Sequence, residues 1–234
     1  MVGDTAKLTI QGYALTQDVG QRNHIPGKDE KKIQLWVVQV NLLVGYFGAY
    51  TDVWQLRQSS FKAITFLPSL LADALAELKP VQSEAYHEWV QRECLNRCVA
   101  AGMLIEASFS SVPTNRPLYL TNMDPIFALP SSTRDWLMVE EEWNQPPEVL
   151  NFSEALDSIN MGQKPERQVS NFGFLTIVAA VLYQICSFER ATGARYVDLY
   201  TSFASRLDRS INVLLEMFNE LSDDSDISYS RGGQ

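Results

Sequence analysis

The sequence predicts an all-α fold, a single helical domain of about seven helices with a proline-rich crossing loop. Three observations lead there. Apolar residues recur at spacings of three and four over long stretches, no convincing run alternates with a period of two, and four prolines fall within twenty residues between the two halves of the pattern. The chain has 234 residues, 46% hydrophobic and 11% aromatic, enough to bury a substantial core and too apolar for disorder throughout. Residues 1–30 read as an irregular lead-in, 31–221 as the domain and 222–234 as a polar tail.

In chain order, Gly12, Gly20, Pro26 and Gly27 keep the lead-in irregular. From Lys31 to Thr51, Leu35, Val38, Leu42, Leu43, Tyr46 and Phe47 describe a helix expected to be buried on most sides and central to the fold. A second helical segment, Val53 to Lys79, must kink at Pro68 and stop at Pro80. A third helix is expected from Ser83, a candidate N-cap, to Ser110. Between Ser111 and Pro130, Pro113, Pro117, Pro125 and Pro130 exclude a helix or central strand and define the crossing loop. A short helix from Ser132 to Trp143 follows. Asn151 or Ser153 then caps another, ending near Ile159.

The last two helices carry the clearest stripes. Phe174, Leu175, Val178, Val181, Leu182, Ile185 and Phe188 mark one. Tyr196, Leu199, Tyr200, Phe203, Leu207, Ile211, Leu214, Leu215 and Phe218 mark the other, expected to bury against both its neighbour and the helix near residues 33–50. The two read as an antiparallel pair joined around Gly193.

Charge and cysteine usage narrow the function. Lys and Arg number 19 against 28 Asp and Glu, a net charge of −9, which opposes direct binding of nucleic-acid phosphates by this chain. Three cysteines, Cys94, Cys98 and Cys186, form no disulfide framework. No signal-peptide pattern opens the chain, and Gln34, Gln39 and Asn41 interrupt the most apolar run, so a soluble intracellular protein is expected.

The search for chemistry returns no catalytic, cofactor-binding or metal-ligating set. His87, Cys94 and Cys98 share a helical face, but they span about 16 Å along the axis and lack a fourth ligand, so structural thiols are the better reading. Glu140, Glu141 and Glu142, and Asp223, Asp224 and Asp226, read as solvated acidic ends. No phosphate loop or nucleophile elbow is present.

One stretch, Glu88 to Trp143, carries a recognisable order of residues. Trp89 and Glu93 open an arginine-bearing helix with Arg97. Glu106 follows, then Arg116 with Pro117, Leu129 with Pro130, and the spaced Trp136 and Trp143. This order is similar to the regulatory middle region of fungal transcription factors of the classical zinc-finger type. Asn96 and Glu106 depart from it, standing where arginine and aspartate are usual. Phe152 to Leu156 and Asn171 to Phe174 extend the resemblance over most of residues 33–220.

The resemblance implies a nuclear regulatory domain acting on RNA polymerase II transcription through protein partners or a homodimer, with no membrane. DNA would be reached only through a zinc-finger module that this chain does not carry, and zinc would belong to that module, leaving no cofactor here. A fragment, a split gene product and a diverged paralogue all fit. A helical small-molecule-binding protein, or a pathway enzyme recruited from the same scaffold, is the alternative.

Within the block, Glu93 and Arg97 are four apart in the favourable order for a helical ion pair. That pair contributes about 0.3–0.5 kcal/mol if exposed. If Trp89 and Leu104 cover it, losing one partner would cost about 3–5 kcal/mol. Partial burial is the expectation. Trp136 and Trp143, two turns apart on one helix, would close the crossing loop over the pair as structural aromatics.

Overall fold

A computed structural model of the chain describes residues 35–55, 57–58, 60, 65, 67, 69–71, 85–110, 127–143, 150–192 and 197–223. These form an all-α arrangement: α1 (Leu35–Ala49), α2 (Tyr86–Ser110), α3 (Thr133–Trp136), a 3-10 turn (Glu140–Glu142), α4 (Phe152–Asn160), α5 (Asn171–Thr192) and α6 (Val197–Asp223). The lead-in, Ser83, Pro68, Pro80, Arg116, Pro117, most of the crossing loop, Gly193 and Tyr196 lie outside the described residues.

The central helix is α2, a correction to the role expected of α1. One side of α2 packs on α1 and another on α5. Its run Val99, Ala100 and Met103 is buried, and the small side chains there, with Ala179 and Ala180 of α5, favour close approach of the two axes. The helix begins at Tyr86 rather than near Ser83. Glu88 in its first turn accepts the backbone N–H of Ala85 at 3.3 Å, the reciprocal half of a capping box.

Only one face of α1 is in the core. Val37, Val38, Asn41, Leu42 and Val44 are buried, and Asn41 satisfies its amide by donating to the Val37 carbonyl at 2.8 Å. Leu43, Tyr46 and Phe47, expected inside, are exposed. The helix is apolar all round, so periodicity could not say which side meets α2.

The antiparallel pairing of α5 and α6 is visible in their rings: Phe174 meets Phe218 at one end, and Phe188 stacks on Phe203 at 3.9 Å at the other. However, α6 packs chiefly on α4 and α5, not on α1. Its buried face runs through Ser210, Val213, Leu214 and Met217, while Tyr200, Ile211, Leu215 and Phe218 face outward. The face is rotated from the expected stripe because Ser210 is in the core, its hydroxyl turned back to the Arg206 carbonyl at 3.1 Å. An inward serine hides a core position from a hydrophobicity pattern.

Two caps fix α4. The Asn151 side chain accepts the Ser153 N–H at 2.8 Å. Past the other end, Gly162 at φ +81° lets Gln163 N–H reach the Ser158 carbonyl and Gly162 N–H reach that of Ile159, each at 2.9 Å, a Schellman ending. Phe152, Ala155 and Ile159 then face the core.

The segment Asn171–Glu189 is long and apolar enough to cross a membrane. In the fold it lies along α2 and α6 and buries Phe174, Ile177, Ala180 and Val181, the position of a core helix.

Candidate functional site

The most ordered polar cluster lies where the end of the crossing segment meets α2. Glu93 is 4% exposed, and its Oε1 accepts three donors: Arg97 Nε at 2.8 Å, Ser131 N–H at 2.9 Å and Ser131 Oγ at 2.8 Å. Arg97 also donates an Nη2 hydrogen to the Ser131 carbonyl at 2.9 Å. Acid and base thus hold both sides of one peptide segment, and charge-assisted bonds of this kind are about twice as strong as neutral ones.

Aromatic rings cover the pair. The Arg97 guanidinium lies 4.7 Å from the Trp136 ring centre and 5.8 Å from that of Phe172, within cation–π range. Trp89, fully buried, meets both Trp136 and Trp143 at 6.4 Å, and Tyr86 meets Trp143 at 5.9 Å. The Tyr86 hydroxyl donates to the Met138 carbonyl at 2.9 Å. Trp143 Nε1 is buried with no acceptor among the described residues.

Trp136 and Trp143 do not share a helix, contrary to the sequence reading. Helix α3 ends at Trp136, Val139 is extended, and Trp143 follows the 3-10 turn. Across the break both rings pack on Trp89. The rings placed over the Arg97 guanidinium are Trp136 and Phe172.

A second tie anchors the same segment to α5. Ser170 Oγ donates to the Pro130 carbonyl at 2.5 Å and accepts the Gly173 N–H at 2.9 Å. A Cβ at Gly173 would sit 3.1 Å from Ser170 Oγ and Val169 Cγ1, so glycine is what lets α5 begin against this tie. Leu129 and Phe127 complete the seam. Leu129 N–H donates to the Leu150 carbonyl at 2.8 Å, and the Phe127 ring stacks on Phe152 at 4.8 Å.

Of the residues singled out in the sequence, Trp89, Glu93, Arg97, Leu129, Pro130, Trp136 and Trp143 therefore belong to one clamp and its seam. Glu106 is buried in α2 thirteen residues beyond Glu93, about 20 Å along the axis, outside this clamp. Arg116 and Pro117 lie outside the described residues. Ser131 and Ser170 were missed, and Phe172 was named only within the stretch Asn171 to Phe174, with no part in this cluster. The only advance sign was local: Ser132 caps α3 by accepting the Asp135 N–H at 3.1 Å, and the Ser-x-x-Asp spacing announces that cap.

The thiols of α2 are held in the neutral form. Burial, then the charge of Glu93, raises the Cys94 thiol against the opposing pull of Arg97. Burial, helped by Cys94, pushes Cys98 up to about 12. Neither is an activated nucleophile. His87 is exposed while Cys98 is buried, so the two do not face one ion, and no cluster of three or more His, Cys, Asp or Glu suited to a metal occurs among the described residues.

An open cleft lined by Phe188, Ser202, Phe203, Arg206 and Arg209 is a separate feature of the α5–α6 end. Chemically, the clamp fixes a chain crossing and leaves its charges engaged with one another. Against family models, curated proteins and solved structures, the chain finds no match.

Proposed function

We propose that this chain is the regulatory domain of a fungal zinc-finger transcription factor, acting in the nucleus on RNA polymerase II transcription through protein contacts, with DNA reached only through a zinc-finger module outside this sequence. One observation carries the reading. Seven of the ten residues selected for an order resembling that family, Trp89, Glu93, Arg97, Leu129, Pro130, Trp136 and Trp143, converge on a single clamp and its seam although they span fifty-five residues, while Glu106 lies outside it. The net charge of −9 and the protonated thiols add support for a protein-contact role over phosphate binding or thiol chemistry.

The test is a fusion of the whole chain to a heterologous DNA-binding domain in fungal cells carrying the matching reporter gene. The reading expects the reporter to change at least several-fold, and Arg97→Met, which loosens the clamp, to abolish the change. A nuclear, folded fusion that leaves transcription at the level of the DNA-binding domain alone would overturn it.

A further inference from the structure

The outer face of α1 carries Leu43, Tyr46 and Phe47, and the chain continues from it with Tyr50 and Trp54; the five are between 52% and 67% exposed. Tyr46 and Phe47 follow Leu43 by three and four residues, so the three share one face of α1, and Tyr50 and Trp54 lie beyond its end. We propose that this face is the contact between two copies of the chain, related by a two-fold axis that packs α1 against α1.

Area supports a second copy. Aromatic side chains present about 150–250 Å² each, so five large residues more than half exposed leave about 500 Å² of apolar surface. That is at the upper end of what a monomer's largest patch shows. Homodimer interfaces are about 65% apolar, so this patch implies a contact of about 800 Å² per copy, the size of a standard stable interface.

Charge selects the same occupant. No Asp, Glu, Lys or Arg occurs from Leu35 to Ala49, within a chain of net charge −9; Asp52, exposed between Tyr50 and Trp54, is the first charged residue beyond the helix. A two-fold contact brings a surface against itself, so two acidic copies meet most easily through an uncharged face. The outward stripe of α6 fails on this count, because Asp208, Glu216 and Glu220 stand among Ile211, Leu215 and Phe218. A membrane surface fits less well: helices that lie in lipid headgroups carry Lys and Arg, and an anionic leaflet repels an acidic chain.

The face is also ordered in advance. Tyr46 contacts Phe47 edge-on at 5.9 Å and Tyr50 at 4.9 Å, and the Tyr50 hydroxyl is 3.2 Å from Ser108 Oγ of α2. Rings already held in place lose little freedom on association. This inference is independent of any role in transcription.

Light scattering and sedimentation of the full chain at about 100 µM provide the test. The expected mass is twice 26.4 kDa, falling to the single-chain value in Leu43→Glu and Phe47→Glu with helicity unchanged by circular dichroism. If either glutamate unfolds the chain, Tyr50→Lys is read in its place, since this position lies beyond the end of α1. A monomeric wild type overturns the proposal, as does a dimer that survives in a folded Leu43→Glu protein. Monomeric protein that sediments with phosphatidylcholine vesicles and loses this binding in Leu43→Glu also overturns it, in favour of a lipid surface.

Discussion

Arg97 shows how a modest residue-level interaction becomes an expensive one. On an exposed helix an i,i+4 pair contributes a few tenths of a kcal/mol, but Glu93 lies beneath Trp136 and Ser131, and its Arg97 partner is the only guanidinium within an ion-pair distance of it among the described residues. Arg97→Met should keep the hydrocarbon stem, strand the buried carboxylate and cost about 3 kcal/mol in urea unfolding. Glu93→Gln should also destabilise, yet the double variant should lose clearly less than the two single losses added together. Strict additivity would show that the pair is not coupled. Cys98 makes a separate prediction from its environment. Its thiol titrates at 9.0 when unfolded and about 12 when folded, so both states are protonated below pH 9 and no stability depends on it there. Above pH 9 the unfolded chain gives up the proton first, and folding stability should fall by up to about 1.4 kcal/mol per pH unit as pH climbs toward the folded value. The measurement is the stability difference between wild type and Cys98→Ala from pH 8 to 11; a difference independent of pH would contradict the assigned burial.

Helix α6 separates what periodicity tells from what it cannot. Two adjacent leucines in its stripe have opposite surroundings: Leu214 is buried against α4 and α5, and Leu215 is 56% exposed. Leu214→Ala should therefore cost about 2–3 kcal/mol by opening a cavity, whereas Leu215→Asp should change thermal stability by less than about 0.5 kcal/mol. Equal losses would place the whole stripe inside after all. The ending of α4 gives a sharper check, because Gly162 holds φ +81° and a Cβ there would stand 3.2 Å from the Arg209 side chain. Gly162→Ala should cost about 1–2 kcal/mol, read as a lowered melting temperature. The existence of each long helix was legible because apolar spacing and caps are local properties; Asn151 was among the named caps for this reason. Facing was less legible. The inward Ser210 and the uniformly apolar α1 each lack the contrast that a periodic reading needs, and the packing of both Trp136 and Trp143 on Trp89 is a tertiary contact that local spacing does not encode.

At the scale of the whole molecule, the candidate site was legible in part and for an instructive reason. Glu93 and Arg97 could be paired from spacing alone, but the groups that make the pair a clamp, Ser131, Ser170 and Phe172, arrive from 34 to 79 residues away, and no helical spacing relates them. What the pattern of charge does predict is behaviour toward nucleic acid. Each phosphate contact needs a cation, and affinity for duplex DNA comes largely from releasing the counterions that such cations replace. This chain has nine more acids than bases, and two of its cations are held in ion pairs: Arg97 by Glu93, and Lys164 by Glu220 at 2.6 Å and Glu216 at 3.3 Å. The α5–α6 cleft offers Arg206 and Arg209, too few for the six to ten contacts that a specific complex commonly uses. In a gel-shift titration at about 0.15 M salt, the chain alone should therefore show no sequence-selective retention. Fusion to a zinc-finger module should supply that retention without changing which site is read, because the bases would be contacted by the module alone. Selective retention by the unfused chain, lost when Arg206 and Arg209 are both changed to Ala, would instead assign the α5–α6 end to DNA and reverse the division of labour proposed for this protein.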